Sequence, residues 1–151
     1  MKEKVLKVKK LAKNAVMPKY ATATDVGFDL RAVEDIEIEP GEQKTIRTGI
    51  AIEIPAGYVG LVRDRAGITT KMKVHTVAGT FDPAYRGEVS VVAVNFGDET
   101  ACIEEGMRIA QIIILPVIKV KIKETKKLSE TTRGSKGFGS TGIREILEIE
   151  R

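Results

Sequence analysis

The sequence is poor in the residues that build several common active sites. It has one Cys and one His in 151 residues. One thiol forms no intrachain disulfide, so nothing points to an oxidising compartment. One Cys and one His cannot make a Cys/His zinc site. There is no Trp, and four Phe with three Tyr leave little for a base-stacking surface. No G-x-G-x-x-G turn follows an early strand, which argues against a hydride-transferring Rossmann domain. The first residues alternate Lys and Glu, so no signal peptide is expected. The apolar runs fall far short of a membrane span. These absences lead to the expectation of a soluble cytoplasmic domain with no membrane partner. A chain of this length buries roughly 70% of its unfolded surface, enough for a real core.

Charge is present in both signs but unevenly placed. The formal net charge is +4. Residues 1–19 carry seven Lys against one Glu, and residues 117–136 seven basic against two acidic. Residues 20–116 hold nine basic and fifteen acidic residues. Lys at alternating positions suits the solvent side and the edges of strands; the other reading is an anion site. The acidic middle argues against a nucleic-acid module.

Periodicity reads as β throughout. Thr45 to Ile54 keeps a period of two through Ile46, Ile50, Ile52 and Ile54, which predicts one half-buried strand. Ile36 and Ile38 alternate before the Pro40-Gly41 turn signal, and Pro55-Ala56-Gly57 is another. Tyr58 to Val62 and Val89 to Asn95 are Val-rich strand candidates. Ile109 to Val120 is β-branched, broken at Pro116, and continues in alternation through Lys123. Short strands between regular turns predict an all-β sandwich or barrel. One short helix at most is expected, with Ile143, Ile146 and Leu147 at helical spacing.

Polar clusters interrupt these strands. Asp25 and Asp29 flank Gly27 and fit either a divalent cation or a turn cap with an Arg partner. Arg63-Asp64-Arg65-Ala66-Gly67 places two guanidinium groups beside a Gly, suited to an oxyanion or to a surface ion pair. In Gly79 to Glu88, Asp82 precedes Pro83 and Tyr85, and is either a turn residue or a general base. Residues 129–142 are rich in Gly, Ser and Thr, with Arg133, Lys136 and Phe138 among them. That composition suits a flexible arm, and equally a phosphate cradle with an aromatic for stacking.

Taken together with Gly106 to Gln111, these clusters closely resemble the five ordered motifs of the homotrimeric dUTPases, from about Val5 to Gly142. The resemblance implies a jelly-roll barrel over residues 1–128, an active-site arm over 129–142 and a C-terminal extension over 143–151. It implies hydrolysis of dUTP to dUMP and diphosphate, with Mg2+ on the triphosphate and each site shared between subunits of a homotrimer. Asp82 would be the general base. Tyr85 would lie against the deoxyribose, and the main chain from Thr76 to Gly79 would read the uracil edge. Arg65, Gln111 and the backbone near Ala66 and Gly67 would hold phosphates. Phe138 and Gly139 would cover the base, while Arg133, Ser140 and Thr141 would close on the outer phosphates. Asp29 would act indirectly, through water near the metal or by fixing an Arg.

The sequence departs from the family pattern at Ala66, where Ser is usual and its hydroxyl is thought to bond the leaving oxygen. Thr80 replaces an aliphatic residue, and the tail is longer than the arm normally carries. These departures imply attenuated turnover; the alternative is a catalytically silenced or engineered trimer serving as a scaffold, with Cys102 as an attachment point or simply a small residue. The related dCTP deaminases place a catalytic carboxylate where this chain has Val92, so no deaminating base is expected.

Overall fold

The computed structural model describes residues 4–137. The chain divides into two units, residues 1–118 and 119–151. Among the described residues the first unit has eleven strands and one helix, and every strand pairing is antiparallel.

A four-stranded sheet runs in the order β2 (Gly27–Arg31), β11 (Arg108–Pro116), β6 (Tyr58–Asp64), β8 (Thr80–Phe81). A three-stranded sheet runs β4 (Gln43–Ile46), β9 (Val91–Asn95), β7 (Val74–Thr76). Two strand pairs complete the set: β1 (Lys7–Lys10) with β5 (Ile50–Glu53), and β3 (Ile36–Ile38) with β10 (Ala101–Ile103). One buried cluster joins them, centred on Leu30, Ile38, Ile46, Val91, Ile103 and Ile112. Alternation puts one face of each strand into it: Phe28 and Leu30 turn inward from β2, while Asp29 between them stays on the outer face. The only fully buried amide side chain, Asn95, is satisfied among the described residues: it donates to Ile38 O and Glu99 O and accepts from Gly97 N, each at 2.8 Å.

Three local expectations need correction. The strand expected over Thr45–Ile54 is two strands, β4 and β5, belonging to different sheets. The break falls at Gly49, whose φ of +66° lies in the left-handed region. A Cβ there would stand 2.9 Å from both Ala15 Cβ and Val33 Cγ1. The alternation through Lys123 does not extend β11, which ends at Pro116; Pro has no N–H to continue a ladder. The helix α1 (Ala66–Met72) lies directly after β6, where no helix was expected. Its helical signal is weak, with Gly67, Thr69 and Thr70 in seven residues. Ile68 and Met72 pack on the core, so burial rather than propensity holds it. It stops at Lys73, a left-handed residue whose N–H reaches Thr69 O. The helix expected around Ile143 lies outside the described residues.

In the second unit, residues 119–137 contain no strand or helix. Local bonds shape them: Lys127 pairs with Glu130 at 2.9 Å, and Arg133 Nε donates to Lys136 O at 3.0 Å. No described helix is long and apolar enough to cross a membrane.

Candidate functional site

Where β2, β11 and the start of α1 meet, they line a cleft of about 390 Å3. Its walls include Asp29, Arg65, Ala66, Gly67, Arg108 and Gln111. Three of the clusters separated in sequence therefore converge at one place.

The register explains the convergence. Asp29 stands opposite Gln111 and Arg31 opposite Arg108 across the β2–β11 ladder. Residues 108 and 111 differ by an odd number, so a regular strand would point them to opposite faces. The register shifts between Arg108 and Ala110. This bulge at Ile109 sends both Ile109 and Ala110 into the core and brings Arg108 and Gln111 to the same face. Arg108 lies within the Gly106–Gln111 motif but was given no role from sequence; nothing in the sequence marks the bulge that turns it to the face of Gln111.

Charges in the cleft are arranged around Asp29. Arg65 Nε lies 2.7 Å from Asp29 Oδ1, and Arg108 pairs with Oδ2 at 3.4 Å. Arg65 also donates to Arg108 O at 3.4 Å. One carboxylate thus holds two guanidinium groups side by side, a cluster with one positive charge in excess that Asp25 elsewhere on the cleft wall balances. Arg65 is the N-cap of α1 in extended conformation. The N–H groups of Ile68 and Thr69 return to Arg65 O, so those of Ala66 and Gly67 have no acceptor within the helix. A Cβ on Gly67 would meet nothing within 4 Å; the chain's own packing does not require glycine there. Asp25 also lines the cleft but is turned to Thr22, accepting its Oγ1 at 2.6 Å and its N–H at 2.9 Å. These bonds hold its carboxyl below the usual range. Of the two readings of Asp25 and Asp29, the turn cap with an Arg partner is the one their contacts match.

The segment expected to read a base runs alongside β6. Thr76 donates to Asp64 Oδ1 from both N–H and Oγ1, at 2.7 and 2.6 Å, and His75 Nδ1 stands 2.9 Å from Asp64 Oδ2. Burial pushes the Asp64 carboxyl upward, but the bonds from Thr76 and His75 outweigh it and hold it below its ordinary value. Gln111 Nε2 donates to Asp64 O at 2.9 Å. Further along, Val62 N donates to Gly79 O at 2.8 Å. Gly79 has φ +142°, and a Cβ there would sit 2.5 Å from Val62 Cβ, so the main chain lies flat on β6.

Asp82 and Tyr85 stand elsewhere. Asp82-Pro83-Ala84-Tyr85 is a turn closed by Tyr85 N to Asp82 O at 3.1 Å, with Pro at the position it favours. The Asp82 carboxylate is exposed. Tyr85 packs on Phe81 with ring centroids 5.7 Å apart and donates to Glu88 O at 3.2 Å. Phe81 pairs with Gly60, four residues from Asp64 on β6, or about 13 Å. One chain therefore does not bring Asp82 to the Arg65 cleft. Arg133 belongs to the second unit, and Phe138, Gly139, Ser140 and Thr141 lie outside the described residues.

The antiparallel strands with their single short helix define a protein of the jelly-roll class, with a cleft lined by two arginines and two aspartates beside its four-stranded sheet. The profile of the dUTPase family matches residues 13–142, and the chain belongs to that family. It is 48% identical to the deoxyuridine 5′-triphosphate nucleotidohydrolase of Gloeothece citriformis over 140 residues, covering 91% of this chain and 97% of the relative. Against the enzyme of that name from Clostridium tetani it is 44% identical, covering 94% and 99%. A Staphylococcus bacteriophage 80alpha dUTPase mutant solved with dUpNHpp superposes with a TM-score of 0.88 at 32% identity, covering 93% of this chain and all of that one. A phage phi11 dUTPase mutant, described for its coordination of a structural Mg(II) ion, gives 0.76 at 28% identity over 82% and 98%.

Proposed function

We propose that the protein hydrolyses dUTP to dUMP and diphosphate. The observation that carries this reading is the fixed Arg65–Asp29–Arg108 cluster beside the free amides of Ala66 and Gly67. Phosphoryl chemistry calls for positioning and charge neutralisation more than covalent help, and this cleft offers both. Arg65, Gln111 and the two amides hold the phosphates. The main chain from Thr76 to Gly79, laid flat on β6, reads the uracil edge. Tyr85 packs against the deoxyribose. Asp82, exposed on its turn, orients the attacking water and takes its proton as the bond to the α-phosphorus forms and diphosphate leaves.

Among the described residues no three His, Cys, Asp or Glu side chains cluster to hold a metal. That donor set fits Mg2+ arriving on the triphosphate, which needs few protein ligands. Bound there, the ion would neutralise charge on the phosphate oxygens. Asp25 and Asp29 are the carboxylates lining the cleft, and since Asp29 is engaged by two arginines its contact with the ion would run through water.

The separation of Asp82 from the Arg65 cleft supports a site assembled from several copies in a homotrimer. Arg133, Phe138, Gly139, Ser140 and Thr141 then complete it over the base and outer phosphates. Ala66 lacks the hydroxyl that would bond the leaving oxygen. Losing one such donor lowers turnover about 100- to 1000-fold.

Diphosphate release from dUTP with Mg2+, measured for this chain and for Ala66→Ser, tests the proposal. The expected result is slow turnover that rises about 100-fold or more in the Ser variant. Equal rates would remove the role given to Ala66. Absence of binding of a non-hydrolysable dUTP analogue to either form would remove the function and leave a scaffold.

A further inference from the structure

Tyr85 is held from three sides by residues close to it in sequence. The Phe81 ring stands 5.7 Å away, tilted by 58°. The Tyr85 hydroxyl donates to Glu88 O at 3.2 Å. The third side is Gly87. A Cβ at that residue would stand 2.3 Å from the Tyr85 hydroxyl oxygen, 2.5 Å from Cζ and 3.0 Å from Cε2, so the nearest atoms all belong to one ring. The φ of Gly87 is not in the left-handed region. The backbone there would accept an alanine, and the ring would not. The main chain beside the ring is anchored. Glu88 Oε1 accepts the Gly49 N–H at 2.7 Å and Oε2 the Arg47 Nε–H at 3.2 Å, while Val89 N donates to Ile50 O at 2.8 Å. The Tyr85 ring is 45% exposed. A methyl group at residue 87 would therefore turn the ring aside rather than lift the anchored chain.

We propose that Gly87 is a specificity-determining residue: having no side chain, it lets the Tyr85 ring lie where it meets the sugar, and so sets the preference for deoxyribose over ribose. This rests on the dUTP reading above. Tyr85 and Gly87 are two residues apart in one chain, so the relation holds in whichever subunit brings Tyr85 to a shared site. A sugar packed against a fixed ring has no room for an added hydroxyl. A ring turned aside opens that room and gives up its contact with the deoxy sugar. The consequence is a change in discrimination, which a residue that only supported the fold would not produce.

The test measures binding of dUpNHpp and of its ribose counterpart by calorimetry, with Mg2+, for the wild type, Gly87→Ala, Tyr85→Ala and the double variant, each checked for folding by circular dichroism. The wild type should favour the deoxy ligand by about 100-fold, and Gly87→Ala should reduce that preference about tenfold or more. Tyr85→Ala should reduce it as well. Adding Gly87→Ala to Tyr85→Ala should change neither affinity by more than about twofold, because no ring is left to crowd. A wild-type preference retained in Gly87→Ala, or a further loss in the double variant, overturns the role of Gly87 while leaving the function standing. A Gly87→Ala chain that does not fold shows that the ring does not yield, and overturns it too. A wild type that binds both ligands equally overturns this role together with the place of Tyr85 at the sugar. A wild type that binds neither overturns the function and this role with it.

Discussion

Arg65 Nε rests 2.7 Å from Asp29 Oδ1, and this pair gives the cleft its geometry. Arg65 closes the end of β6 and caps α1, while Asp29 sits mid-strand on β2. Arg108, on the strand between them, meets the second oxygen of the same carboxylate. Orientation of a guanidinium matters because its planar fork matches phosphate oxygens only in certain poses.

Asp29→Ala removes that orientation and one negative charge together. The uncovered positive charge offsets part of the lost geometry in binding, so analogue affinity should change by less than about threefold. Turnover depends on alignment and should fall about 10- to 100-fold. Steady-state rates with parallel calorimetry of analogue binding check this. Weaker analogue binding with an unchanged turnover number would mean that Asp29 acts on binding alone.

Asp82→Asn preserves the turn and its shape but removes the carboxylate proposed as the base. Analogue affinity should hold and diphosphate release should drop by about 100-fold or more. Retained turnover would show that another group takes the proton.

The class of fold was legible in the alternation at Phe28 and Leu30 and at Val91 through Asn95, because a half-buried strand writes its two faces into the sequence. The motifs at Asp29, Arg65, Ala66, Gly67 and Gln111 were likewise readable as a set. What escaped was non-local. Nothing between Thr45 and Ile54 shows that the chain changes sheets at Gly49, since the steric reason is Ala15 and Val33, distant in sequence. The helix over Ala66–Met72 escaped because its stability comes from Ile68 and Met72 reaching the core. Asp64 escaped because its partners lie on another strand.

Gly49→Ala probes the sheet change. It forces a side chain into a left-handed backbone and against two core neighbours at 2.9 Å. A loss of about 2–4 kcal/mol is expected, read as a lower midpoint in urea with little change in slope. A shift under 0.5 kcal/mol would show that β4 and β5 tolerate a continuous path.

Acid should destabilise the fold partly through Asp64. Its folded carboxyl titrates below its unfolded value, so the folded state binds fewer protons than the unfolded one. Its contribution is complete above about pH 4 and fades as pH falls through the folded value. Chemical denaturation of the wild type and Asp64→Asn at a series of pH values from 6 downward should give a shallower acid limb for the variant. Parallel limbs would assign the acid sensitivity to other carboxylates.

The bulge at Ile109 acts as a half-step in the strand's count. Downstream of it, every side chain on β11 faces opposite to where parity from Arg108 would place it. Deleting residue 109 would remove the half-step and leave Arg108 two residues from Gln111, the spacing at which a regular strand already keeps both on one face opposite Arg31 and Asp29. Residue 109, apolar and without any chemistry of its own, is thus the spacer that lets side chains three apart in sequence share the cleft, absorbed into the core at no cost to the strand's pairing.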